Sequence, residues 1–376
     1  MMMETKRKRT RICLHGNYHT DNFGDILLMA LFSKWIREYA PSSILSLPFA
    51  SEGIRRLTSA NGGTGYRTLA AADGLIYGGG GYFGEPGGSR LRWGNRLLAR
   101  HIPPGEILRA RRRPYAILGV GAGPISNKLA RMAVVRLCRG ATTVAVRDDE
   151  SRHYLIDYGV PAEQVLVTSD AAMALRVEDL SAPVRNEAKA ELANFPFPFK
   201  VGVHVSFPSA YNPASRRLIE ELCAAVGKAP DAGCVLLVDQ AGANPQVDAV
   251  KEIREKLGGK SIVIPYQGPW FLSAVLSELD FVITTKLHVG IVATAFNRQV
   301  LSFPTHAKTP RFYRQVGWAD RCLPLSELKA GEAFDRICSL MNRASVHDPI
   351  RDSVKKDAAR NRLMVKEVVE NFTRGS

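Results

Sequence analysis

The stretch FVITTKLHVGIVATAFN, residues 281–297, decides the fold of this chain. Phe281 to Ile283 is a short apolar run, rich in β-formers, that suits a buried parallel strand. Apolar residues then recur at helical spacing, which predicts a helix beginning within a residue or two of His288. Two hydroxyls, a cation and an imidazole therefore lie where a strand turns into a helix: Thr284, Thr285, Lys286 and His288.

Lys286 and His288 are two residues apart, so on a strand end their side chains share one side. The N-terminus of the following helix adds backbone N–H groups and the positive end of a dipole, which favour an anion. An isolated Lys-x-His pattern also fits a solvated lysine beside a helix-start histidine with a satisfied hydrogen bond. The repetition of the same strand-to-helix architecture along the chain favours the functional interpretation.

Length and composition indicate a soluble protein of two domains. The chain has 376 residues, too many for one ordinary core, and its 45% hydrophobic and 23% charged residues are typical of globular proteins. No apolar run approaches the ~20 residues that span a bilayer, and the basic N-terminus is not followed by the apolar stretch of a signal peptide. Six scattered cysteines without C-x-x-C spacing predict reduced thiols and a cytoplasmic location.

The net charge of +15 favours an anionic partner. The densest basic run is at 109–113, with further clusters at the N-terminus and along 351–366. Nucleic acid, anionic lipid and a phosphorylated substrate would each match this charge, which could also serve solubility alone. Nucleic acid is disfavoured because finger, RNP-type and heptad signatures are missing. We therefore expect a phosphorylated substrate, and peripheral contact of the basic patches with the anionic inner face of a membrane.

Strands and helices alternate in both halves of the chain. Predicted strands lie at 11–15, 44–49, 74–77, 115–118, 143–146 and 165–167, and then at 201–205, 235–238, 262–264, 281–283 and 299–303. This alternation predicts an α/β protein with two facing, doubly wound parallel-sheet domains of the GT-B type and an active site in the inter-domain cleft. The predicted divisions are residues 1–180 as N-terminal domain, 181–198 as linker, 199–345 as C-terminal domain, and 346–376 as a helix crossing back to the first domain.

Unusual residues cluster at the predicted carboxyl ends of strands, where ligands bind in such sheets. They are Asn17, Gly24, Asp25, the glycines within 78–81 and 119–123, Arg147, Asp170, Asp239, Lys286 and His288. Four successive glycines are costly in folding entropy, which favours close approach of backbone to a ligand or to the other domain. The run at 119–124, GVGAGP, lacks the third glycine of a dinucleotide fingerprint. Asp25 could also serve only as a helix cap.

The chain carries an ordered set of short motifs, which are Gly16-Asn17, Asn22-Phe23-Gly24-Asp25, Gly78-Gly79-Gly80, Gly119 to Pro124, Val146-Arg147-Asp148, Ser169-Asp170, Leu287-His288 and Pro304 with Lys308. From about residue 11 to residue 317, this ordered set resembles the polysaccharide pyruvyl transferases. The resemblance implies transfer of the enolpyruvyl group of phosphoenolpyruvate onto a sugar of a surface polysaccharide or its lipid-linked precursor, giving a pyruvate ketal. Phosphoenolpyruvate is then a co-substrate, and no cofactor or metal is expected. Where the family usually carries Arg-x-His, this chain has Lys286-Leu287-His288, and lysine keeps the charge without the bidentate fork.

The chemistry assigns roles to the matching residues. We expect His288 to protonate the methylene carbon, because imidazole titrates near neutral pH. Arg147 and Lys286 would hold phosphate and carboxylate, and Asp25 would accept the proton of the sugar hydroxyl. Expected substrate-binding positions are Asn17, Gly24, Gly79, Gly80, Gly121, Asp170, Lys286, Leu287 and Lys308. Two alternatives remain: a GT-B glycosyltransferase that uses a nucleotide-sugar, and a non-catalytic protein that binds anionic glycans.

Overall fold

The structure is a computed structural model that describes residues 9–18, 22–85, 90–207, 213–240, 246–305, 308–343 and 349–374. Its strands form two parallel sheets. The strands are β1 (Arg11–His15), β2 (Ile44–Ser46), β3 (Gly74–Phe83), β4 (Tyr115–Ala122), β5 (Thr143–Val146), β6 (Val165–Val167), β7 (Phe199–His204), β8 (Ala232–Leu237), β9 (Ser261–Ile264), β10 (Phe281–Thr284) and β11 (Gln299–Ser302).

The α-helices connect and cover these strands. They are α1 (Phe23–Tyr39), α2 (Glu52–Leu57), α3 (Gly65–Ala70), α4 (Arg90–Arg100), α5 (Pro103–Ala110), α6 (Lys128–Gly140), α7 (Asp149–Asp157), α8 (Ala182–Ala193), α9 (Pro213–Lys228), α10 (Val247–Leu257), α11 (Pro269–Ser277), α12 (Leu287–Ala295), α13 (Lys308–Val316), α14 (Glu332–Met341) and α15 (Asp352–Arg374). Among the described residues, no helix has the length and apolar character needed to cross a membrane.

The first compact unit holds the six-stranded sheet, in the order β2-β1-β3-β4-β5-β6. It comprises the described parts of Met1–Asp21, Asp25–Ala171 and Lys356–Ser376. The sheet order reverses direction between β1 and β3, which makes that edge a topological switch point. The central strands β3 and β4 are almost continuously buried, as expected for a parallel sheet covered on both faces.

The second unit holds the five-stranded sheet, in the order β11-β10-β7-β8-β9. It comprises Ala172–Lys355 in its described parts, together with the short segment Asn22–Gly24. Here the order reverses between β7 and β10. Its core is formed by inward residues of the strands and the packed faces of α9, α10 and α14, including Val203, Leu222 and Ile253.

The glycine-rich segment after the third predicted strand is itself part of that strand. Strand β3 continues from Tyr77 through the four glycines to Phe83. A methyl group on Gly79 would lie 3.0 Å from Leu28, so the missing side chain makes room for α1. Gly80 adopts a φ of +90°, which other residues rarely do. Likewise β4 extends through Gly121 to Ala122 instead of ending at Leu118.

The stretch expected to be a linker, 181–198, has regular structure. Helix α8 occupies most of it and packs against α11. The rings of Phe195 and Phe197 then lie against the backbone of Gly233 in β8. Because these aromatic side chains pack on the sheet of the second unit, the chain divides at Ala171 and not within 181–198.

Candidate active site

In the first unit, Asn17 and Asp25 lie together at the switch point between β1 and β3. Asn17 Nδ2 donates a hydrogen bond of 2.7 Å to Asp25 Oδ2. Asp25 is buried in the first turn of α1, where the helix dipole favours a carboxylate. A methyl group on Gly80 would lie 3.4 Å from Asp25 Oδ1. The strand thus passes close beside an oriented carboxylate.

Arg147 lies between two carboxylates just beyond the end of β5. Its Nη1 is 3.1 Å from Asp170 Oδ2, and its Nε is 3.6 Å from Asp148 Oδ2. A methyl group on Gly121 would lie 2.7 Å from Arg147 Nε, so that glycine makes room for the guanidinium. Because β4, β5 and β6 are neighbours in the sheet, the ends of three strands meet here. The buried charge of Arg147 is compensated by these carboxylates, as buried charges require.

The C-terminal helix supports the segment that carries Asp170. Asn361 is fully buried on α15, and its Nδ2 donates to the backbone oxygen of Ser169 over 2.9 Å. Thr168 Oγ1 donates to Asn361 Oδ1 over 3.2 Å. Both ends of the amide are therefore bonded to the two residues before Asp170, which fixes the course of the chain after β6.

A buried cluster of histidines and tyrosines, unforeseen from the sequence, lies beside Asn17 and Asp25. The Nε2 atom of His15 is 2.9 Å from Nδ1 of His101, and the Tyr82 ring stacks on His101 with centroids 4.6 Å apart. Burial raises the pKa of Tyr82 well above its usual value, and proximity to Tyr18 and Asp25 raises it further, so the phenol stays neutral. His101 and Tyr82 are far from His15 in the sequence, so no local pattern marks this cluster.

In the second unit, polar contacts fix the turn from β10 into α12. Lys286 is the residue that precedes the helix, and its backbone N–H donates to Thr284 Oγ1 over 2.9 Å. Thr285 Oγ1 accepts a hydrogen bond of 2.9 Å from the backbone of Ser206, which follows β7. The two hydroxyls noted in the sequence thus hold the turn in place.

Lys286 forms an ion pair with Asp239. The sequence places Asp239 at the end of a strand but does not show that it pairs with Lys286. Lys286 Nζ is 2.9 Å from Asp239 Oδ2, and His204 Nε2 is 3.4 Å from Asp239 Oδ1. The Gln246 side-chain amide lies 2.6 Å from His204 Nε2. Burial by itself raises the pKa of Asp239, but attraction and hydrogen bonding to His204 and then to Lys286 outweigh it and hold the pKa below its usual range. Three adjacent strand ends, those of β10, β7 and β8, supply this cluster.

His288 is the second residue of α12 and is buried. A methyl group on Gly24 would overlap the His288 ring, so the imidazole lies directly against the Gly24 backbone. This packing explains why Asn22–Gly24 groups with the second unit. Leu287, also buried, begins the same helix. Lys308 begins α13 and is exposed.

The structure thus gathers the expected residues into four local groups. Asn17, Asp25 and Gly80 form one group, and Gly121, Arg147 and Asp170 form another. Gly24 lies with His288, and Lys286 with Asp239. Gly79 instead accommodates α1. Among the described residues, no cluster of three or more His, Cys, Asp or Glu side chains could hold a metal ion.

The two parallel-sheet units define a GT-B-like fold, and solved structures of that class match nearly the whole chain. HepE from Anabaena, in complex with UDP and glucose, has a TM-score of 0.58 and 14% identity over 97% of this chain and 99% of its own. UDP-GlcNAc 2-epimerase from Neisseria meningitidis, bound to UDP-GlcNAc, has a TM-score of 0.63 and 10% identity over 98% and 99%. The same enzyme from Methanocaldococcus jannaschii has a TM-score of 0.61 and 10% identity over 96% and 100%.

The chain belongs to the polysaccharide pyruvyl transferase family, whose sequence profile matches residues 22–306. The matched region begins in the turn before α1 and ends after β11, so it includes most of the groups described above. No curated protein sequence gives a significant match. The solved structures share too little sequence to indicate more than the fold.

Proposed function

We propose that this protein transfers the pyruvyl group of phosphoenolpyruvate onto a sugar of a surface polysaccharide or of its lipid-linked precursor, in the cytoplasm. The observation that carries the proposal is His288 at the start of α12, held against the Gly24 backbone two residues after Lys286, which pairs with Asp239. Membership of the pyruvyl transferase family supports it.

In the proposed reaction, His288 delivers a proton to the methylene carbon of phosphoenolpyruvate. The neighbouring carbon becomes oxocarbenium-like, and a sugar hydroxyl oxygen forms a bond to it. The bond from that carbon to the phosphate oxygen then breaks, and a second hydroxyl of the same sugar completes the ketal. Inorganic phosphate leaves, and of the two hydroxyl protons one replaces the proton given by His288 while the other leaves with phosphate. A buried, positioned imidazole suits the first step.

The donor carries up to three negative charges, so cations and backbone N–H groups are needed to hold it. We assign this role to Lys286 and Arg147, each already oriented by a carboxylate, and to the N-terminus of α12. The carboxylates keep each cation in one geometry, which lowers the ordering cost of binding. Asp25, oriented by Asn17, is the proposed acceptor of the sugar hydroxyl proton.

The donor can be tested by thermal unfolding of the purified protein with phosphoenolpyruvate and, separately, with UDP-sugars. At ~100 times Kd, a ligand stabilises by about 2.7 kcal/mol. We expect stabilisation by phosphoenolpyruvate, weakened when phosphate and pyruvate replace it. Stabilisation by a UDP-sugar alone would favour the glycosyltransferase alternative. UDP-sugars are the nucleotide-sugars to test because two of the structural neighbours were solved with UDP or UDP-GlcNAc. Stabilisation by neither donor would favour a non-catalytic glycan-binding protein.

The transfer itself can be tested by mass spectrometry of glycans from cells with and without the protein. We expect a pyruvate-sized increment that is lost on deletion and restored by the wild-type chain. A His288→Gln chain, expressed to the same level, should not restore it. Identical glycans with and without the protein would contradict the proposal.

A further inference from the structure

Most of the chain's net positive charge comes from a single stretch. Residues 90–140 contain eleven arginines and one lysine but only one acidic residue, Glu106. This stretch therefore carries +11 of the net charge of +15. A surplus this concentrated generates a local positive field, whereas a solubilising charge would be spread over the surface.

The fold places most of this charge on one side of the first unit, since nine of the twelve basic residues lie on α4, α5 and α6. Helices α4 and α5 connect β3 to β4, and α6 connects β4 to β5, which are successive neighbours in the sheet. Right-handed crossovers between neighbouring parallel strands put these helices on the same face. Contacts join them: Arg136 of α6 pairs with Glu106 of α5 over 3.1 Å, and Gly94 of α4 lies against Asn127, the cap of α6. We call the outer surface of these three helices the α4–α6 face.

Two large apolar side chains are exposed on α6, among the basic residues of this helix. Leu129 is 68% exposed and Met132 is 67% exposed, the highest values for large hydrophobic residues in the described part of the chain. They are three residues apart on α6 and so are neighbours on its surface. Lys128 and Arg136 lie on the same outer side. Helix α6 fills its share of the core with other residues, including Val134 and Leu137, so the exposed pair has no role there.

We infer that the α4–α6 face docks on an anionic phospholipid bilayer. Leu129 and Met132 would enter the boundary between headgroups and acyl chains, while arginines such as Arg92 and Arg96 contact lipid phosphates. Basic residues around exposed apolar side chains are the pattern by which helices bind a membrane surface without crossing it. The inference does not depend on the reaction proposed above.

A bilayer fits this face better than nucleic acid or an anionic polysaccharide does. All three would attract the arginines, but only a bilayer removes Leu129 and Met132 from water. A polyanion that contacted the charges would leave the apolar pair hydrated. The apolar pair is therefore the feature that discriminates among these partners.

The test is co-sedimentation of the full-length protein with vesicles of phosphatidylcholine alone or of phosphatidylcholine mixed with phosphatidylglycerol. We expect binding to the anionic vesicles that weakens as salt is added. Arg92→Gln/Arg96→Gln should weaken it on the order of 25-fold, at about fivefold per basic residue. Leu129→Ser/Met132→Ser should weaken it by about tenfold or more, although its charge is unchanged.

Matched controls come from exposed residues of the second unit. Val247→Ser removes an apolar side chain that is 54% exposed on α10, and Lys251→Gln/Lys329→Gln removes two exposed charges. Both should bind vesicles like the wild type. Circular dichroism and thermal unfolding should be unchanged in every variant, because all the substituted side chains are exposed.

Equal binding to neutral and anionic vesicles, or wild-type binding by Leu129→Ser/Met132→Ser, would overturn the inference. So would duplex DNA binding tighter than vesicle binding and lost only in the arginine variant, since that result defines a surface for polyanions.

Discussion

The orientation of the His288 ring depends on a residue that has no side chain. The imidazole lies against the Gly24 backbone at the start of α12, where any larger residue would overlap it. Packing against backbone fixes a ring more rigidly than a flexible neighbour would, and a proton-transfer group needs a fixed position relative to the carbon it protonates. Two predictions separate the imidazole's chemistry from its position.

Replacing His288 tests the chemistry. His288→Ala should lower turnover by roughly 10²–10⁴ with the fold intact, the usual contribution of a general acid. His288→Gln should be nearly as poor, because an amide forms hydrogen bonds but does not titrate. Steady-state phosphate release from phosphoenolpyruvate with an acceptor measures the effect, and thermal unfolding checks the fold. A glutamine variant with most of the wild-type activity would assign His288 to binding or structure.

Replacing Gly24 tests the position. Gly24→Ala should displace the imidazole without removing it and lower turnover by ~10²-fold, since a shift of about 1 Å at a catalytic group has that cost. The matched control is Gly227→Ala on α9, where an added methyl group meets no atom within 4 Å. The control should keep full activity and gain about 0.4–1 kcal/mol in stability. Equal activities of the two variants would show that the Gly24 contact does not position the ring.

Lys286 tests the donor contact, but its ion pair with Asp239 must be taken into account. Lys286→Ala should weaken phosphoenolpyruvate binding by about 1.5–3 kcal/mol, the range for a hydrogen bond to a charged group. The same change also takes from Asp239 the cation 2.9 Å away. In Lys286→Ala/Asp239→Asn, residue 239 no longer carries a charge that needs a partner. If Lys286 contacts the donor directly, binding of phosphoenolpyruvate should stay weak in this double variant. Recovery of affinity in the double variant, measured by titration calorimetry, would mean that Lys286 acts only through Asp239. Lys286→Arg should keep or improve affinity, because its fork offers more donors.

At the scale of elements, the turn from β10 to α12 was predictable and its partners were not. The change from a short apolar run to helical spacing at 281–297 marks that turn in any context. The cluster of His204, Asp239 and Gln246 depends on which strands are neighbours, and that order does not follow from one sequence. The extension of β3 through four glycines does not follow from the sequence either, because glycine is depleted in strands. It is tolerated here because α1 packs closely over Gly78 and Gly79.

The pairing of Asp239 with His204 and Lys286, where the ends of β8, β7 and β10 meet, predicts that the stability of the protein depends on pH. The pKa of Asp239 is lowered in the folded protein, so the carboxylate contributes stability that is present above its unfolded pKa of about 3.9 and is lost as the pH falls through the lower folded pKa. Asp239→Asn should therefore destabilise by about 1.5–3 kcal/mol at pH 7 and by progressively less below about pH 4. Thermal unfolding at pH 3 and at pH 7 measures this penalty, with Asp320→Asn at an exposed position as the control. A penalty for Asp239→Asn that is the same at pH 3 and pH 7 would contradict the assigned charge state.

At the scale of the whole molecule, the number and kind of units could be predicted, but the positions at which the chain passes from one unit to the other could not. Two parallel-sheet units follow from the strand-to-helix alternation. The first unit combines distant parts of the chain, because Lys356–Ser376 groups with it in its described part, in line with the C-terminal helix that the sequence led us to expect there. Such a return depends on tertiary contacts, here those of Asn361 with the segment before Asp170 and of Phe372 with Gly74. The two units should therefore differ in their dependence on the C-terminal helix.

A fragment of residues 172–355 contains a continuous chain with its own core and sheet, and it should fold alone. Residues 1–171 should fold poorly without 356–376, because Gly74 would lose the Phe372 ring and the segment before Asp170 would lose its bonds to Asn361.

In the full chain, Asn361→Ala should destabilise the first unit by about 1–3 kcal/mol, since it leaves buried polar groups without partners. Glu367→Ala, exposed on the same helix, is the control and should change little. Hydrogen exchange resolves the two units, and we expect faster exchange in β5 and β6 of the Asn361 variant with β7 and β8 unaffected. Equal protection in the two variants would show that the C-terminal helix is not needed to hold the carboxyl end of β6.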